Sequence, residues 1–161
     1  MKLFLMRHGD ALGGDPDEIR PLSAQGVTEA RAAGMFLKRS GEIPEMAYHS
    51  VLLRARQTAA AAVDELGGEI PLYECRGLRP NDSVPAFAAE FSTGIGKDIL
   101  IVGHQPFISE FASFLLSGSL SSVSIQFTTG SLACLKRSGI SGAWTLHFHI
   151  TAKTISNLLD A

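Results

Sequence analysis

The sequence predicts an α/β fold in three layers, with a mostly parallel central sheet and helices on both of its faces. Short apolar runs, which are typical of buried strands, alternate with amphipathic helical patterns along most of the chain. The 161 residues are 45% hydrophobic and 19% charged, and this balance excludes a mainly disordered chain. No internal repeat or linker interrupts the pattern, so we expect residues 1–161 to form one domain.

The first strand is predicted at Lys2–Met6, because this run is short, apolar and bounded by polar residues. A loop rich in glycine and proline follows over Gly9–Pro21. Ala24–Arg39 predicts a helix that ends near Gly41, because its apolar positions recur three and four residues apart. Those positions are Val27, Ala30, Gly34 and Leu37.

A second strand and helix follow. Met46–His49 predicts the short strand, and Leu52–Leu66 predicts an alanine-rich helix. We expect Ser50 or Val51 at the entry of this helix and Gly67 at its exit.

The middle of the chain continues the alternation. Ile70–Tyr73 predicts a third strand, and Ser83 is expected to cap the next helix. In that helix Phe87 and Phe91 form an apolar pair four residues apart. Asp98–Val102 gives the strongest indication of a buried strand.

The last third begins with a helix for which Pro106 suits the first turn. The apolar face of this helix comprises Ile108, Phe111, Ala112 and Leu115. Beyond Gly118, Ser131–Lys136 and Ala143–Ile150 predict two strands joined by the turn Ser138–Gly142.

Charge and cysteine content narrow the classes of partner and compartment. The chain has 14 Lys and Arg against 16 Asp and Glu, a net charge of −2, so no basic face for nucleic acid is expected. Its apolar runs are too short to cross a bilayer or to form a secretory signal peptide. Cys75 and Cys134 are isolated, which suits a reducing compartment. We expect a cytoplasmic protein whose partners include neither nucleic acid nor membrane.

Reactive side chains follow three predicted strands at the point where each ends. Arg7 and His8 follow the first strand, and His104 follows the strand predicted most strongly. His49 ends the second strand, with Arg54 one turn into the next helix. The carboxyl ends of parallel strands meet at one edge of a sheet, so we expect the arginines and histidines to lie together there. For His49 itself we favour a packed or surface role.

Two arginines and two histidines at one edge suit a phosphoryl group. A guanidinium is permanently charged and donates two parallel hydrogen bonds to phosphoryl oxygens. A neutral imidazole is a nucleophile toward phosphorus when one ring nitrogen is free and an acceptor holds the other. Helix N-termini at the same edge add positive potential for an anion.

Several motifs carry a family resemblance. Met6–Ala11 resembles the R-H-G signature of the histidine phosphatase (phosphoglycerate mutase-like) superfamily. Arg20–Ser23 with Gly26, then Ser50–Ala59 and Val102–Pro106, match further motifs of that superfamily in the same order. Order and spacing resemble those of the short bacterial SixA-type phosphohistidine phosphatases over most of the chain. Motifs in order are far more specific than R-H-G alone.

The resemblance implies a phosphoglycerate mutase-like fold and a covalent mechanism that needs no metal and no cofactor. His8 would attack phosphorus and become a phosphohistidine, which water then hydrolyses. Arg7, Arg54 and His104 would hold the three equatorial oxygens and offset the charge of the transition state. Arg20 matches an arginine at the rim of the pocket, which would contact phosphate or a carboxylate of the partner.

The chain departs from the larger members of that superfamily in two respects. Residues 12–16 lack the asparagine that contacts phosphate in those members. The segment that carries their proton donor is short here, and Asp82 and Glu74 are its only acidic candidates. The imidazole of a phosphohistidine departs readily without such a donor. Short loops also leave an open groove, so we expect a phosphohistidine-containing protein, such as a phosphotransfer domain, as substrate.

Other functions stay open on the sequence alone. One is hydrolysis of a small phosphomonoester, such as a sugar or nucleotide phosphate, which would require a proton donor. Another is a non-catalytic module that binds phosphoproteins, and a mutase is less favoured. His147 and His149 alternate onto one predicted strand face, but two ligands without a third do not favour a metal site.

Overall fold

The computed structural model describes residues 1–91, 96–139 and 141–160, and in these ranges the chain folds around a single sheet. Its strands are β1 (Lys2–Arg7), β2 (Met46–Ser50), β3 (Leu72–Cys75), β4 (Ile99–Gly103), β5 (Leu132–Arg137) and β6 (Trp144–Ile150). Its helices are α1 (Ala24–Ser40), α2 (Leu53–Leu66), α3 (Val84–Phe91), α4 (Phe107–Ser117) and α5 (Ala152–Leu159). A one-turn 3₁₀ helix, Asp17–Ile19, lies in the loop between β1 and α1.

The strand order of the sheet is β3-β2-β4-β1-β5-β6. The four strands from β3 to β1 run parallel, whereas β5 and β6 continue the sheet antiparallel. The predicted mostly parallel α/β sheet is therefore confirmed. Because β2, β4 and β1 are parallel neighbours, their carboxyl ends lie side by side at one edge.

Side chains of the central strands alternate between two hydrophobic cores, one on each face of the sheet. Leu3 and Leu5 pack with Phe111 against α3 and α4. Phe4 and Met6 point to the opposite face and pack against α1, α2 and α5. Helices thus cover both faces, which confirms the predicted three layers.

Capping side chains explain where two helices begin. The Ser23 hydroxyl accepts a hydrogen bond from the Gly26 N–H at 3.1 Å, so α1 starts directly after Ser23. The chain leaves α1 at Gly41 in the left-handed conformation, with φ of 70°, which favours glycine. At α3 the Ser83 hydroxyl accepts from the Ala86 N–H at 3.4 Å, as expected for its cap.

The boundaries near β2 and β3 differ from the expectation. Helix α2 begins after Leu52, and neither Ser50 nor Val51 caps it, because the Ser50 hydroxyl accepts from the Leu52 N–H instead. The third strand lies two residues later than Ile70–Tyr73, because its pairing with β2 starts at Leu72.

Two features of the helices also differ. Val27 is 36% exposed, because the close contact of α1 with α2 is centred two turns further along, where Gly34 meets the backbone of Ala62. Helix α5 is missing from the elements predicted above, and Thr151 caps its first turn. Residue 140 of the predicted turn Ser138–Gly142 lies outside the described residues. No helix within the described ranges combines the length and the apolar character needed to cross a membrane.

Candidate active site

The carboxyl ends of β1, β2 and β4 bring the predicted arginines and histidines together. Arg7 pairs with Gly103 in the β1–β4 register, so His8 and His104 follow on neighbouring strands. Their ring centroids are 4.9 Å apart. Arg54 reaches the same edge from the first turn of α2, which follows β2 directly.

His8 has one ring nitrogen held and the other left free. Its Nδ1–H donates to the Gly9 carbonyl oxygen at 2.7 Å, an arrangement that leaves the lone pair on Nε2. The Gly9 N–H in turn donates to the Thr58 hydroxyl at 3.0 Å, which anchors the turn after β1 to α2. Burial, followed by the positive charges of Arg54 and Arg7, lowers the pKa of His8 to about 4. The ring is therefore neutral at neutral pH, the state in which an imidazole nitrogen can act as a nucleophile.

His104 is almost completely buried, at 1% exposure. Both of its ring nitrogens are buried without a hydrogen-bond partner in the described part of the chain. Burial lowers the pKa of His104 to about 3, with further contributions from His8 and Arg54. A neutral imidazole still carries one N–H, so His104 offers a donor beside His8.

The Arg7 guanidinium is held by the loop that precedes β5. Its Nη1 donates to the Phe127 carbonyl oxygen at 2.9 Å, and its Nε is buried without a partner among the described residues. Burial lowers the pKa of Arg7, yet a guanidinium stays charged at neutral pH. Buried donors without an acceptor are costly and are found at functional sites.

Arg54 and Arg20 share one carboxylate. Arg54 is buried, and its Nη2 lies 3.1 Å from the Asp17 Oδ2. Arg20 is more exposed, and its Nη1 lies 2.9 Å from the Asp17 Oδ1. Hydrogen bonds from Arg20 and Arg54 lower the pKa of Asp17, so its carboxylate is charged. Three guanidinium groups therefore act on His8, and the Asp17 carboxylate pairs with two of them.

Asp17 is the residue of this cluster that the sequence analysis missed. It precedes Arg20 by three residues, a spacing at which oppositely charged side chains meet on a helical turn. That spacing is a signal in the sequence, but it is informative only once the one-turn helix at Asp17–Ile19 is known.

Among the described residues, neither candidate proton donor is hydrogen-bonded to His8 or His104. Glu74 lies on β3, three strands from β1, which is about 14 Å across a sheet. Asp82 accepts a hydrogen bond from the Arg79 N–H at 2.8 Å. Both acids instead line a cavity of about 420 Å³ together with Val51.

The remaining histidines have other surroundings. His49 is a packed histidine, 4% exposed, with its Nδ1 2.8 Å from the Ser50 carbonyl oxygen. The expectation that His147 and His149 share one strand face is wrong, because a β-bulge interrupts the β5–β6 pairing. His149 packs on Phe127, whereas His147 lies near Glu42. Within the described residues no three His, Cys, Asp or Glu side chains are grouped so that they could hold a metal ion.

The chain is similar in sequence and fold to several known proteins. The model of the histidine phosphatase superfamily (branch 1) matches residues 3–82. An uncharacterised protein of Picosynechococcus sp. is 33% identical over 165 residues, which cover 98% of this chain and 93% of that protein. Phosphohistidine phosphatase SixA of Escherichia coli is 28% identical over 141 residues, which cover 83% of each chain. A solved structure of the protein histidine phosphatase SixA complexed with tungstate has a TM-score of 0.84 at 28% identity, covering 98% of this chain and 99% of that chain.

Proposed function

Because the chain belongs to the histidine phosphatase superfamily and is a hydrolase, we propose that it removes phosphate from phosphohistidine on a partner protein. The reaction would pass through a phosphohistidine formed on His8. The observation that carries this proposal is the His8 ring, whose Nδ1–H is held by the Gly9 carbonyl at 2.7 Å beside three guanidinium groups. A nucleophile in that state needs no general base.

The surrounding side chains provide the electrostatic part of the mechanism. Arg7, Arg54 and His104 would together hold the three equatorial oxygens of the phosphoryl group. Their charges and dipoles are already oriented, so little reorganisation accompanies the increase of negative charge in the transition state. Phosphoryl transfer depends mainly on such positioning and electrostatic stabilisation, and two arginines can provide it here without a metal ion.

The reaction would proceed in two displacements at phosphorus. First, the Nε2 lone pair of His8 forms a bond to phosphorus while the P–N bond of the substrate breaks. The electron pair returns to the substrate imidazole, which carries a proton on its other nitrogen and leaves neutral. Water then attacks the phosphorus of phosphorylated His8, the P–Nε2 bond breaks, and one proton of the water passes to solvent. Inorganic phosphate and free His8 are the products.

The choice of phosphohistidine as substrate rests on the leaving group. An alkoxide needs a proton donor at the point of departure, whereas an imidazole departs without one. Among the described residues, neither acid is hydrogen-bonded to His8: Asp82 accepts from the Arg79 N–H, and Glu74 and Asp82 line a separate cavity. SixA, a relative that covers most of this chain, is a phosphohistidine phosphatase. We also propose that residues 1–161 act as one domain in the cytoplasm.

One observation favours a second candidate, a small phosphomonoester. Arg76 and Arg79 line the same cavity of about 420 Å³ as Glu74 and Asp82, at the carboxyl edge of the sheet. Those arginines could bind a second anionic group of the substrate, and one of the acids would then donate a proton to the leaving alkoxide. Loss of the basic limb of the pH profile in Asp82→Asn or Glu74→Gln would support this candidate.

Substitution of the proposed nucleophile tests the mechanism. We expect His8→Ala to abolish turnover of an aryl phosphate, because no nitrogen remains to form the covalent intermediate. Binding of tungstate should persist, since the cationic side chains stay in place. The matched control is His147→Ala, which removes a 42%-exposed histidine on β6 and should leave turnover unchanged. Turnover retained by His8→Ala would refute the mechanism.

A comparison of substrates tests the substrate class. We expect wild type to release phosphate faster from a phosphohistidine-bearing phosphotransfer domain than from sugar or nucleotide phosphates. An acid-labile phosphoenzyme, trapped in the same reaction, would identify a phosphohistidine linkage. Preference for a small phosphoester would favour the second candidate, and binding without release would indicate a non-catalytic module.

A further inference from the structure

Asp17 contacts Arg54 through both its backbone and its side chain. Nη1 of Arg54 donates to the backbone oxygen of Asp17 at 2.9 Å and to Oδ1 at 3.3 Å. Nη2 donates to Oδ2 at 3.1 Å. The Arg54 side chain is 6% exposed, whereas that of Asp17 is 54% exposed. A buried guanidinium is thus paired with a carboxylate presented by an exposed loop.

The hydrogen bonds to Asp17 use only part of the donor capacity of Arg54. A guanidinium has five N–H groups, and Asp17 accepts from both on Nη1 and from one on Nη2. Within the described residues, the Nε–H and the second N–H of Nη2 have no acceptor, and these two donors are directed along one edge of the guanidinium plane. Two parallel donors on one edge match the spacing of two phosphoryl oxygens.

Asp17 is itself held in place by a second arginine. Nη1 of Arg20 donates to Oδ1 of Asp17 at 2.9 Å, and Nε of Arg20 donates to the Leu12 carbonyl oxygen at 2.8 Å. The carboxylate is therefore tied both to the loop between β1 and α1 and to the start of α2. Such a connection fixes the rotation of the Arg54 guanidinium plane about its long side chain.

We propose that Asp17 is a positioning residue, which orients Arg54 so that its Nε and Nη2 donors face the phosphoryl group bound beside His8. This proposal rests on the proposed function, because it assigns Arg54 to the phosphoryl oxygens. If Asp17 acted only through its charge, its removal would have the opposite effect on anion binding. A carboxylate near the site repels an anion, so its removal would then tighten anion binding.

The difference in sign makes Asp17→Asn a direct test. We expect calorimetric titration with tungstate to show about tenfold weaker binding, the effect of losing one charge-assisted hydrogen bond at an oriented guanidinium. The control is Glu18→Gln, which removes the same charge from the adjacent exposed position of the same loop. It should change the dissociation constant by less than about twofold, the effect of a screened surface charge. Unchanged or tighter binding by Asp17→Asn would overturn the proposal.

The same substitution made in an Arg54→Lys variant shows whether Asp17 acts through Arg54. Lysine keeps the charge at position 54 but has no plane to orient. In Arg54→Lys, we therefore expect the further change Asp17→Asn to alter kcat/KM for an aryl phosphate by less than about twofold, the usual behaviour of a coupled pair. If Asp17→Asn lowers kcat/KM by the same factor in the Arg54→Lys protein as it does in wild type, the assignment to Arg54 is overturned.

Failure of the proposed function gives a different result. If wild type neither binds tungstate nor hydrolyses the aryl phosphate, the proposed function fails before any variant is compared. If wild type does both and Asp17→Asn matches it, only the positioning role fails.

Discussion

The protonation state of His8 follows from where the ring sits. Burial and the nearby guanidinium groups hold its pKa at about 4, and the pKa of His104 at about 3. Both rings are neutral across the physiological range, although an unperturbed histidine titrates near pH 6.5. The Gly9 carbonyl also selects the tautomer of His8, because it accepts from Nδ1–H.

These assignments predict the imidazole NMR spectrum. Between pH 8 and pH 5 the ring resonances of His8 and His104 should not titrate, because each pKa lies below that window. The Nδ1 of His8 should show the shift of a protonated nitrogen and Nε2 that of an unprotonated one. The spectrum of His8→Ala lacks the imidazole resonances of His8 and so identifies them. A midpoint near pH 6.5 for His8 would contradict both the burial argument and the proposed role of His8 as a neutral nucleophile.

At the scale of single residues, the sequence predicts the site well where regular strands determine it. Arg7, His8 and His104 lie together because the ends of parallel strands meet at one edge, and that edge can be inferred without coordinates. Asp17 could not be inferred in the same way. Its partner Arg54 is 37 residues away, and their contact depends on the path of an irregular loop.

At the scale of elements, Ser23 connects the first turn of α1 to the loop that follows β1. Its hydroxyl donates to the Asp10 Oδ2 at 2.6 Å and accepts from the Gly26 N–H at 3.1 Å. A Cβ at Gly9 would overlap the backbone of Gly26, so loop and helix are in close contact. Helix capping and placement of the turn after His8 therefore depend on one side chain.

Loss of this cap should affect stability and activity together. We expect Ser23→Ala to lower the free energy of unfolding by about 1 kcal/mol, as for other N-caps. It should also reduce kcat/KM about fivefold, since about 1 kcal/mol of positioning energy is lost at the loop. Denaturant unfolding and steady-state kinetics measure the two effects.

A matched control separates stability from placement. Thr151 caps α5, and its hydroxyl accepts from the Thr154 N–H at 3.2 Å, on an element that carries none of the candidate site residues. Thr151→Ala should lose similar stability while kcat/KM stays at the wild-type value. Equal losses of activity in both variants would show that the loop contact of Ser23 has no particular role.

The elements themselves are predicted to different degrees, for physical reasons. Buried strands such as β1 and β4 are continuous apolar runs and are found within one or two residues. The start of β3 depends on pairing with β2 rather than on its own composition, so its predicted bounds are displaced. The apolar positions of helix α5 recur three or four residues apart, but the helix spans only 8 residues and is too short to be stable without its packing against α1.

At the scale of the whole molecule, the buried histidines of the candidate site make the stability of the fold depend on pH. Two neutral histidines are buried beside guanidinium groups, and both resist protonation. The unfolded chain binds protons at these positions below about pH 6.5, whereas the folded chain does not until about pH 4 and about pH 3. Stability must therefore decrease as the pH falls below 6.5.

The size of that decrease can be measured. Each histidine should contribute a slope of about 1.4 kcal/mol per pH unit to the free energy of unfolding well below pH 6.5. Replacement of His8 by Gln removes one of the two, so the loss between pH 6.5 and pH 5 should shrink by roughly 2 kcal/mol. The lowered pKa of Asp17 does not interfere, because a carboxylate loses its contribution only as the pH falls below its ordinary 3.8. Urea unfolding in phosphate-free buffer gives both curves, and Thr151→Ala, which changes no titrating group, should run parallel to wild type. If His8→Gln also runs parallel to wild type, then His8 titrates equally in the folded and unfolded chains, and the charge cluster does not hold it neutral.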